Sequence, residues 1–324
     1  MEIKKPIVAI CYDFDKTLSP DDMQAFTFIP SIGMDKNDFW EESNSLAQKN
    51  LMDKNLAWMH LMLKKSDANN LPVSKESFKE LGKDVKLFKG VTSWFKHVNE
   101  YGDKLGVEVQ HYIISSGLKE IIEGSSIADN FKRIYASSFL YSVNGVAIWP
   151  AQTVNYTNKT QFFFRIAKGF LEEYDERVND SMSDNELAIP YENIIYIGDS
   201  DTDVPCMRVV TSKGGYSIGV YDPITDRRAK VYKLFEDGRL SFFAPADYST
   251  TAPLFHTVKG IMENIASRER LKSRRAELKE LSAPYKTYKD FEEIFKNKPG
   301  GGKMKKRERE ILDTLKSQIE GNID

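Results

Sequence analysis

The chain has 324 residues, 41% hydrophobic and 12% aromatic, enough to bury one substantial core plus a smaller module. Its 46 basic and 48 acidic side chains leave a formal net charge of -2, so no global field recruits nucleic acid or a membrane surface. Its apolar runs are too short to cross a bilayer, and its two cysteines, Cys11 and Cys206, make no disulfide framework; the expectation is a soluble cytoplasmic protein with both thiols packed in its core.

Ile7-Val8-Ala9-Ile10-Cys11-Tyr12 reads as a buried parallel strand, and it closes on Asp13-Phe14-Asp15-Lys16-Thr17. Residues two apart on an extended chain face one side, so Asp13 and Asp15 crowd like charges at one mouth of a sheet. A bound Mg²⁺ would relieve that crowding and leave one carboxylate as a nucleophile. On this motif alone a plain acidic junction, with Thr17 as a helix cap, stays open. From Leu18 to about Phe88 the spacing turns helical, over Asp38 to Lys49, Leu51 to Lys65 and Ser74 to Lys86.

At Lys89 an α/β rhythm resumes: a helix to about Tyr101, a strand from Val107 to Ile114 that ends at Ser115-Ser116-Gly117, and a helix through Ile127. A strand follows at Arg133 to Ser137, then a hairpin from Ser138 to Trp149 turning at Asn144-Gly145. Lys159 to Tyr174 is helical, and the strand Asn193 to Gly198 runs straight into Asp199-Ser200-Asp201-Thr202-Asp203. Further strands are expected at Gly215 to Val220 and Ala229 to Leu234, then one long helix from Pro253 to about Leu281. A charged helix from Lys286 to Lys298, a Pro299-Gly300-Gly301-Gly302 linker and a helix from Lys303 to about Glu320 complete the chain.

This alternation predicts an α/β fold: a doubly wound, mostly parallel Rossmann-like sheet with an inserted all-helical cap. The expected domains are a core of residues 1–17 and 89–282, a cap of residues 18–88 and a charged helical extension of residues 283–324. Ligands of such sheets sit beyond the carboxyl ends of the strands, where Asp13, Ser115 and Asp199 all fall. The Ser115 hydroxyl with the Ser116 and Gly117 amides, read as opening a helix, would form a cradle for phosphate oxygens, with a plain N-cap the alternative.

Taken in order, Asp13-Phe14-Asp15-Lys16-Thr17, Ser115, Lys159 and Gly198-Asp199-Ser200-Asp201-Thr202-Asp203 resemble the motifs of the haloacid dehalogenase superfamily, over about residues 6 to 220. Within it the chain is similar to the phosphoserine-phosphatase-like branch with a helical cap. The resemblance implies Asp13 as the nucleophile that forms an aspartyl-phosphate, and Asp15 as general acid and base. It implies Mg²⁺ held by an Asp13 carboxylate oxygen, the Asp15 main-chain carbonyl and Asp199. Asp203 either holds a metal-bound water or orients Lys159. Ser115, Ser116, Gly117 and Thr17 would contact phosphate, and Lys159 would neutralise the spreading phosphoryl charge, with Lys168 a rival. Asp201 reads as solvating a helix start.

Retention of Asp15 sets the chain apart from the superfamily's dehalogenases and phosphonatases. The implied activity is a Mg²⁺-dependent phosphomonoesterase acting on a small phosphorylated metabolite. The alternatives are transfer to an acceptor other than water and a phosphatase-like binding module. Asp22 matches the acidic cap-loop position of phosphoserine phosphatases, and Phe26 lies near enough to the first motif to touch a leaving group. Those enzymes also use a cap arginine, whereas the first arginine of this chain is Arg133. Lys64 or Lys65 would then substitute as a point charge, which disfavours phosphoserine itself. His60, His97, His111 and His256 show no zinc-ligand spacing, and the basic stretches 268–275 and 303–309 read as solvated helix faces rather than nucleic-acid sites.

Overall fold

The computed structural model describes residues 5–199, 201–225, 228–296 and 306–320. At its centre lies β1 (Ile7–Tyr12), whose apolar run is covered on both faces and so needs helices on both sides of the sheet. Six more strands complete a seven-stranded sheet: β2 (Glu108–Leu118), β3 (Arg133–Tyr141), β4 (Ala147–Gln152), β5 (Ile194–Gly198), β6 (Tyr216–Tyr221) and β7 (Phe242–Pro245). Their order is β4-β3-β2-β1-β5-β6-β7, parallel throughout except for the antiparallel β3–β4 hairpin. Strand order therefore reverses between β1 and β5, the crevice where open α/β sheets bind ligands.

Five helices lie between β1 and β2 and before the first covering helix of the sheet: α1 (Met23–Phe26), α2 (Phe28–Ser31), α3 (Lys36–Asn50), α4 (Lys54–Ala68) and α5 (Lys75–Gly82). Their starts are well capped. The Asp35 and Asp53 carboxylates accept from amides of the first turns of α3 and α4, and Ser74 with Ser77 closes a capping box on α5. The helices that follow are α6 (Val91–Leu105), α7 (Lys119–Gly124), α8 (Lys159–Lys168), α9 (Val204–Ser212), α10 (Arg228–Glu236), α11 (Pro253–Lys296) and α12 (Lys306–Glu320). Helix α5 meets α7 at backbone distance: a Cβ on Gly124 would lie 1.8 Å from the Lys79 carbonyl oxygen, and one on Gly82 2.1 Å from that of Ile121.

The chain divides into two compact units, Met1–Ile265 and Ala266–Asp324. Within the second, the Lys316 ammonium lies 5.9 Å from the Tyr288 ring centroid and Leu312 is buried. Among the described residues no helix is long and apolar enough to cross a membrane.

Two sequence expectations are corrected. Ala229 to Leu234 is part of α10, not a strand: Val231 and Leu234 are its buried residues, a helical interval that its β-branched and aromatic content disguised. The strand beside β6 is instead the short β7. Helix α11 also runs on without a break to Lys296, with Pro284 inside it, because Leu278, Leu281, Tyr285 and Tyr288 hold the same three-and-four spacing across the proline. The expected Pro299-to-Gly302 linker lies outside the described residues.

Alternation along β1 sorts the core. Ala9 and Cys11 join Tyr112, Phe162, Phe163 and Met207 on one side. On the other, the Tyr12 hydroxyl accepts from Trp94 Nε1 at 2.8 Å and bonds His111 Nδ1 at 3.0 Å, while His111 Nε2 pairs with Asn99 Oδ1 at 3.0 Å. Burial lowers the His111 pKa to about 3, so the folded imidazole stays neutral where the unfolded one, near 6.5, gains a proton. The stability this group contributes is therefore fully present above about 6.5 and declines as pH falls toward 3. Chemical denaturation at pH 5 is expected to give about 2 kcal/mol less stability than at pH 7 from this group, and His111→Gln should remove that part of the slope. An unchanged slope in the variant would contradict the assignment.

Candidate active site

The chain leaves β1 still paired: the Asp13 amide donates to the Ile197 carbonyl at 2.9 Å, carrying the β1–β5 ladder one residue further. By alternation Asp13 lies on the Ala9 and Cys11 side, the side packed by α8 and α9. The backbone then reverses tightly. Lys16 takes a left-handed φ of 60°, and the Phe14 carbonyl accepts from the amides of Thr17, Leu18 and Ser19 at 3.3, 2.9 and 3.1 Å. Below the turn the Tyr248 hydroxyl donates to the Thr17 carbonyl at 2.8 Å. The result returns Asp15 to the mouth of the sheet, where its Oδ1 accepts from the Met23 amide at 2.8 Å.

Strand β2 differs from expectation at its end. Ser116 and Gly117 do not open a helix; the strand continues, with a register shift, to Leu118, and α7 starts at Lys119. The Gly117 amide donates to Ser115 Oγ at 3.1 Å. The missing side chain at Gly117 makes room for the first motif, since a Cβ there would meet Met23 Cε at 2.1 Å and Asp15 Oδ2 at 3.1 Å.

Lys159 is the first residue of α8 and is 1% exposed. Its ammonium donates to Asp13 Oδ1 at 2.9 Å and to Asp203 Oδ1 at 2.8 Å. Lys168, the rival lysine, donates instead to the Val178 carbonyl at 2.7 Å and the Asp180 carbonyl at 2.6 Å. Both oxygens of Asp203 are engaged: Oδ1 also accepts from the Tyr196 hydroxyl at 2.8 Å, and Oδ2 from the Asp199 amide at 3.2 Å. Gly198 permits that approach, because a Cβ there would fall 2.7 Å from Asp203 Cγ. Asp201 is exposed and pairs with Lys230 at 3.1 Å, away from this centre.

Asp13, Asp199 and Asp203 each offer an oxygen within 4.8 Å of the others. If all three were ionised they would outnumber the cations that act on them, Lys159 by direct contact and Lys16 by its charge beside Asp199. Burial raises the Asp13 carboxyl, the Lys159 charge pulls it back and Asp203 raises it again, with the net at about 6. Burial, then Asp203 and Asp13, push Asp199 well above the usual carboxylate range. For Lys159 the two carboxylates outweigh burial and hold the ammonium charged. Asp15 is also raised well above its ordinary value, by burial and then by Asp22 and Asp13. A hard divalent cation would balance such a set of oxygen donors, so these residues fit Mg²⁺.

These groups open into a cavity of about 700 Å³ lined by Asp13, Asp15, Lys16, Asp22, Ser115, Ser116, Lys159 and Asp199 on one side and by Met52, Asp53, Lys54 and Asn55, at the start of α4, on another. Asn155, Tyr156 and Thr202 complete the lining. The Asp22 carboxylate pairs with Lys16 at 2.5 Å and Lys36 at 3.8 Å. Four anticipated residues are not among the lining: Asp203 is fully buried behind Lys159, Phe26 is half-buried, Thr17 is buried beneath the turn with no partner for its hydroxyl among the described residues, and Gly117 faces Met23. Lys65 pairs with Glu42 at 2.6 Å, and neither it nor Lys64 lines the cavity. Lys54 does, and sequence reasoning missed it. Tyr196 was missed as well, since a phenol inside an apolar strand reads as packing.

Residues 10–208 match the model of the haloacid dehalogenase-like hydrolases. The chain belongs to that family. Among relatives of this hydrolase, an uncharacterized protein of Borreliella burgdorferi is 28% identical over 292 residues, covering 82% of this chain and 99% of that protein. Among solved structures, an unliganded probable phosphoserine phosphatase from Vibrio cholerae aligns with a TM-score of 0.50 at 10% identity, over 82% of this chain and 67% of that one, which shows a common fold. A family hydrolase of Salmonella enterica serovar Typhi aligns at 0.47 with 16% identity, over 70% of this chain and 66% of that one.

Proposed function

We propose that this hydrolase is a Mg²⁺-dependent phosphomonoesterase that acts on a small phosphorylated metabolite through an aspartyl-phosphate at Asp13. The observation that carries the reading is the buried bridge from Lys159 to both Asp13 and Asp203, within a carboxylate cluster that fits a divalent cation and opens on a ligand-sized cavity.

Asp13 attacks phosphorus through a carboxylate oxygen as the bond from phosphorus to the ester oxygen breaks. Asp15, held by the Met23 amide and with its carboxyl raised well above the usual range by burial and by Asp22 and Asp13, gives its proton to the departing oxygen. The resulting carboxylate then takes a proton from water as that water attacks phosphorus, and phosphate leaves Asp13. Lys159 stabilises charge on the phosphoryl oxygens, and Asp203, fixed by Tyr196 and the Asp199 amide, keeps it in place. Ser115 and Ser116 face the same space and would hold phosphate oxygens. Asp13 and Asp199 would hold Mg²⁺, with the Asp15 carbonyl as a further donor. When bound, the ion supplies Lewis-acid polarisation of the phosphoryl group. Residues 18–88 would act as the lid that excludes water and reads the leaving group, with Lys54 as its cavity-facing cation.

The purified protein is expected to hydrolyse an aryl phosphate with Mg²⁺, to lose at least about 100-fold of that rate in excess chelator, and to regain it when Mg²⁺ is restored. Turnover unchanged by chelation, or none on a panel of phosphate esters with Mg²⁺ present, would contradict the proposal.

A further inference from the structure

The turn that delivers Lys159 is fastened to the inserted helices. Asn155 is its keystone. Its Oδ1 accepts from the Thr157 amide at 3.0 Å, the Thr157 hydroxyl at 2.7 Å and the Asn158 amide at 3.1 Å. The Asn155 amide donates to Asn158 Oδ1 at 2.8 Å, and its carbonyl accepts from the Lys159 amide at 3.0 Å. The other end of the same side chain reaches across: Nδ2 donates to Asp53 Oδ2 at 3.0 Å. Asp53 is the N-cap of α4, and its Oδ1 accepts from the Asn55 and Leu56 amides at 2.7 and 3.2 Å.

A second contact runs alongside. Asn55 Nδ2 donates to the Val154 carbonyl at 2.7 Å. The Val154 amide in turn donates to Ser137 Oγ at 3.1 Å, and that hydroxyl donates to the Ser116 carbonyl at 3.1 Å. One short segment thus connects the start of α4 to the lysine and to the serine strand end, all around the same cavity.

We propose that Asn155 is a positioning residue that couples α4 to Lys159, so that the lid and the lysine take up their working places together. The proposal rests on the phosphatase reading for its kinetic consequence and on geometry alone for its structural one. Each partner has a local task that its isostere could perform: aspartate at 155 still accepts the turn amides, and asparagine at 53 still caps α4. Only the bond between them needs one amide facing one carboxylate.

That property gives the test. Asn155→Asp sets two carboxylates against each other, and Asp53→Asn sets two amides against each other, whereas the double exchange Asp53→Asn with Asn155→Asp restores every bond with the polarity reversed. Hydrogen exchange of the amides of α4 and kcat/KM on an aryl phosphate with Mg²⁺ are measured on all four proteins, with circular dichroism to confirm folding. Each single variant is expected to exchange faster in α4 and to lose kcat/KM, both by about tenfold or more, and the double variant is expected to recover both to within about threefold. Wild-type behaviour of both single variants, or a double variant as impaired as the two losses combined, would overturn the coupling. If either single variant does not fold, the folded double variant still reports the rescue. A wild-type protein inactive on every ester would sink the phosphatase reading, while the exchange data would still decide the coupling.

Discussion

Asp13→Asn is expected to lower phosphatase turnover on the order of 10⁴-fold or more and to leave the fold at least as stable. The asparagine oxygen can still accept from Lys159, so the contact that Asp13 Oδ1 makes at 2.9 Å survives. The nucleophilic lone pair of a carboxylate does not survive, and the neighbouring carboxylates are committed elsewhere, Asp199 being the one that would hold the cation. Asp15 is held by the Met23 amide, and Asp203 has both oxygens occupied. Stability should move the other way from activity. Burial raises the Asp13 carboxyl to about 6, above its unfolded value, so ionisation at neutral pH opposes folding and a neutral isostere removes that cost. Calorimetry in chelator should show an unchanged or higher melting temperature. Turnover within tenfold of wild type, or a clear fall in stability, would contradict this assignment.

Lys159→Met has the opposite stability signature. Methionine fills similar volume, but it leaves Asp13 and Asp203 buried without their shared ammonium. Removing one partner of a buried ion pair costs about 3–5 kcal/mol, and denaturant titration at neutral pH should read a loss of that order. The deficit should narrow as pH falls and the Asp13 carboxyl takes up a proton. Turnover should fall by roughly 10²- to 10³-fold, because charge on the transferring phosphoryl group loses its fixed counter-charge. Arginine should not rescue it, since a planar fork cannot place one donor between two carboxylates in the space of an ammonium. Near wild-type stability in the methionine variant would show that the buried bridge contributes little.

The side chains that cluster at the sheet mouth were legible in sequence because each follows an apolar strand or opens a helix at short range. Ile7 to Tyr12 announces Asp13, Ile194 to Gly198 announces Asp199 and Asp203, and the apolar face of α8 announces Lys159. The same periodicity carried the α/β alternation and hence the parallel sheet. It failed where local composition and tertiary context disagree. Ser-Ser-Gly looks like a helix start, yet backbone pairing keeps β2 extended to Leu118. Val231, Tyr232 and Phe235 favour strands by type, yet they sit on α10. Contacts between distant segments left no trace in the chain. Asp53 and Asn155 are unremarkable cap and turn residues until the fold brings them to 3.0 Å, and Tyr196 looks like packing until its hydroxyl meets Asp203 at 2.8 Å.

Phosphate is expected to pass through a covalent bond to Asp13. Acid quenching of the enzyme during turnover of an aryl phosphate, followed by peptide mapping, tests it directly. A phosphoryl group is expected on the peptide carrying Asp13, labile to hydroxylamine as an acyl phosphate must be, and absent from Asp13→Asn. Steady turnover with no phosphorylated peptide under conditions that trap acyl phosphates, or a label on any other residue, would contradict it.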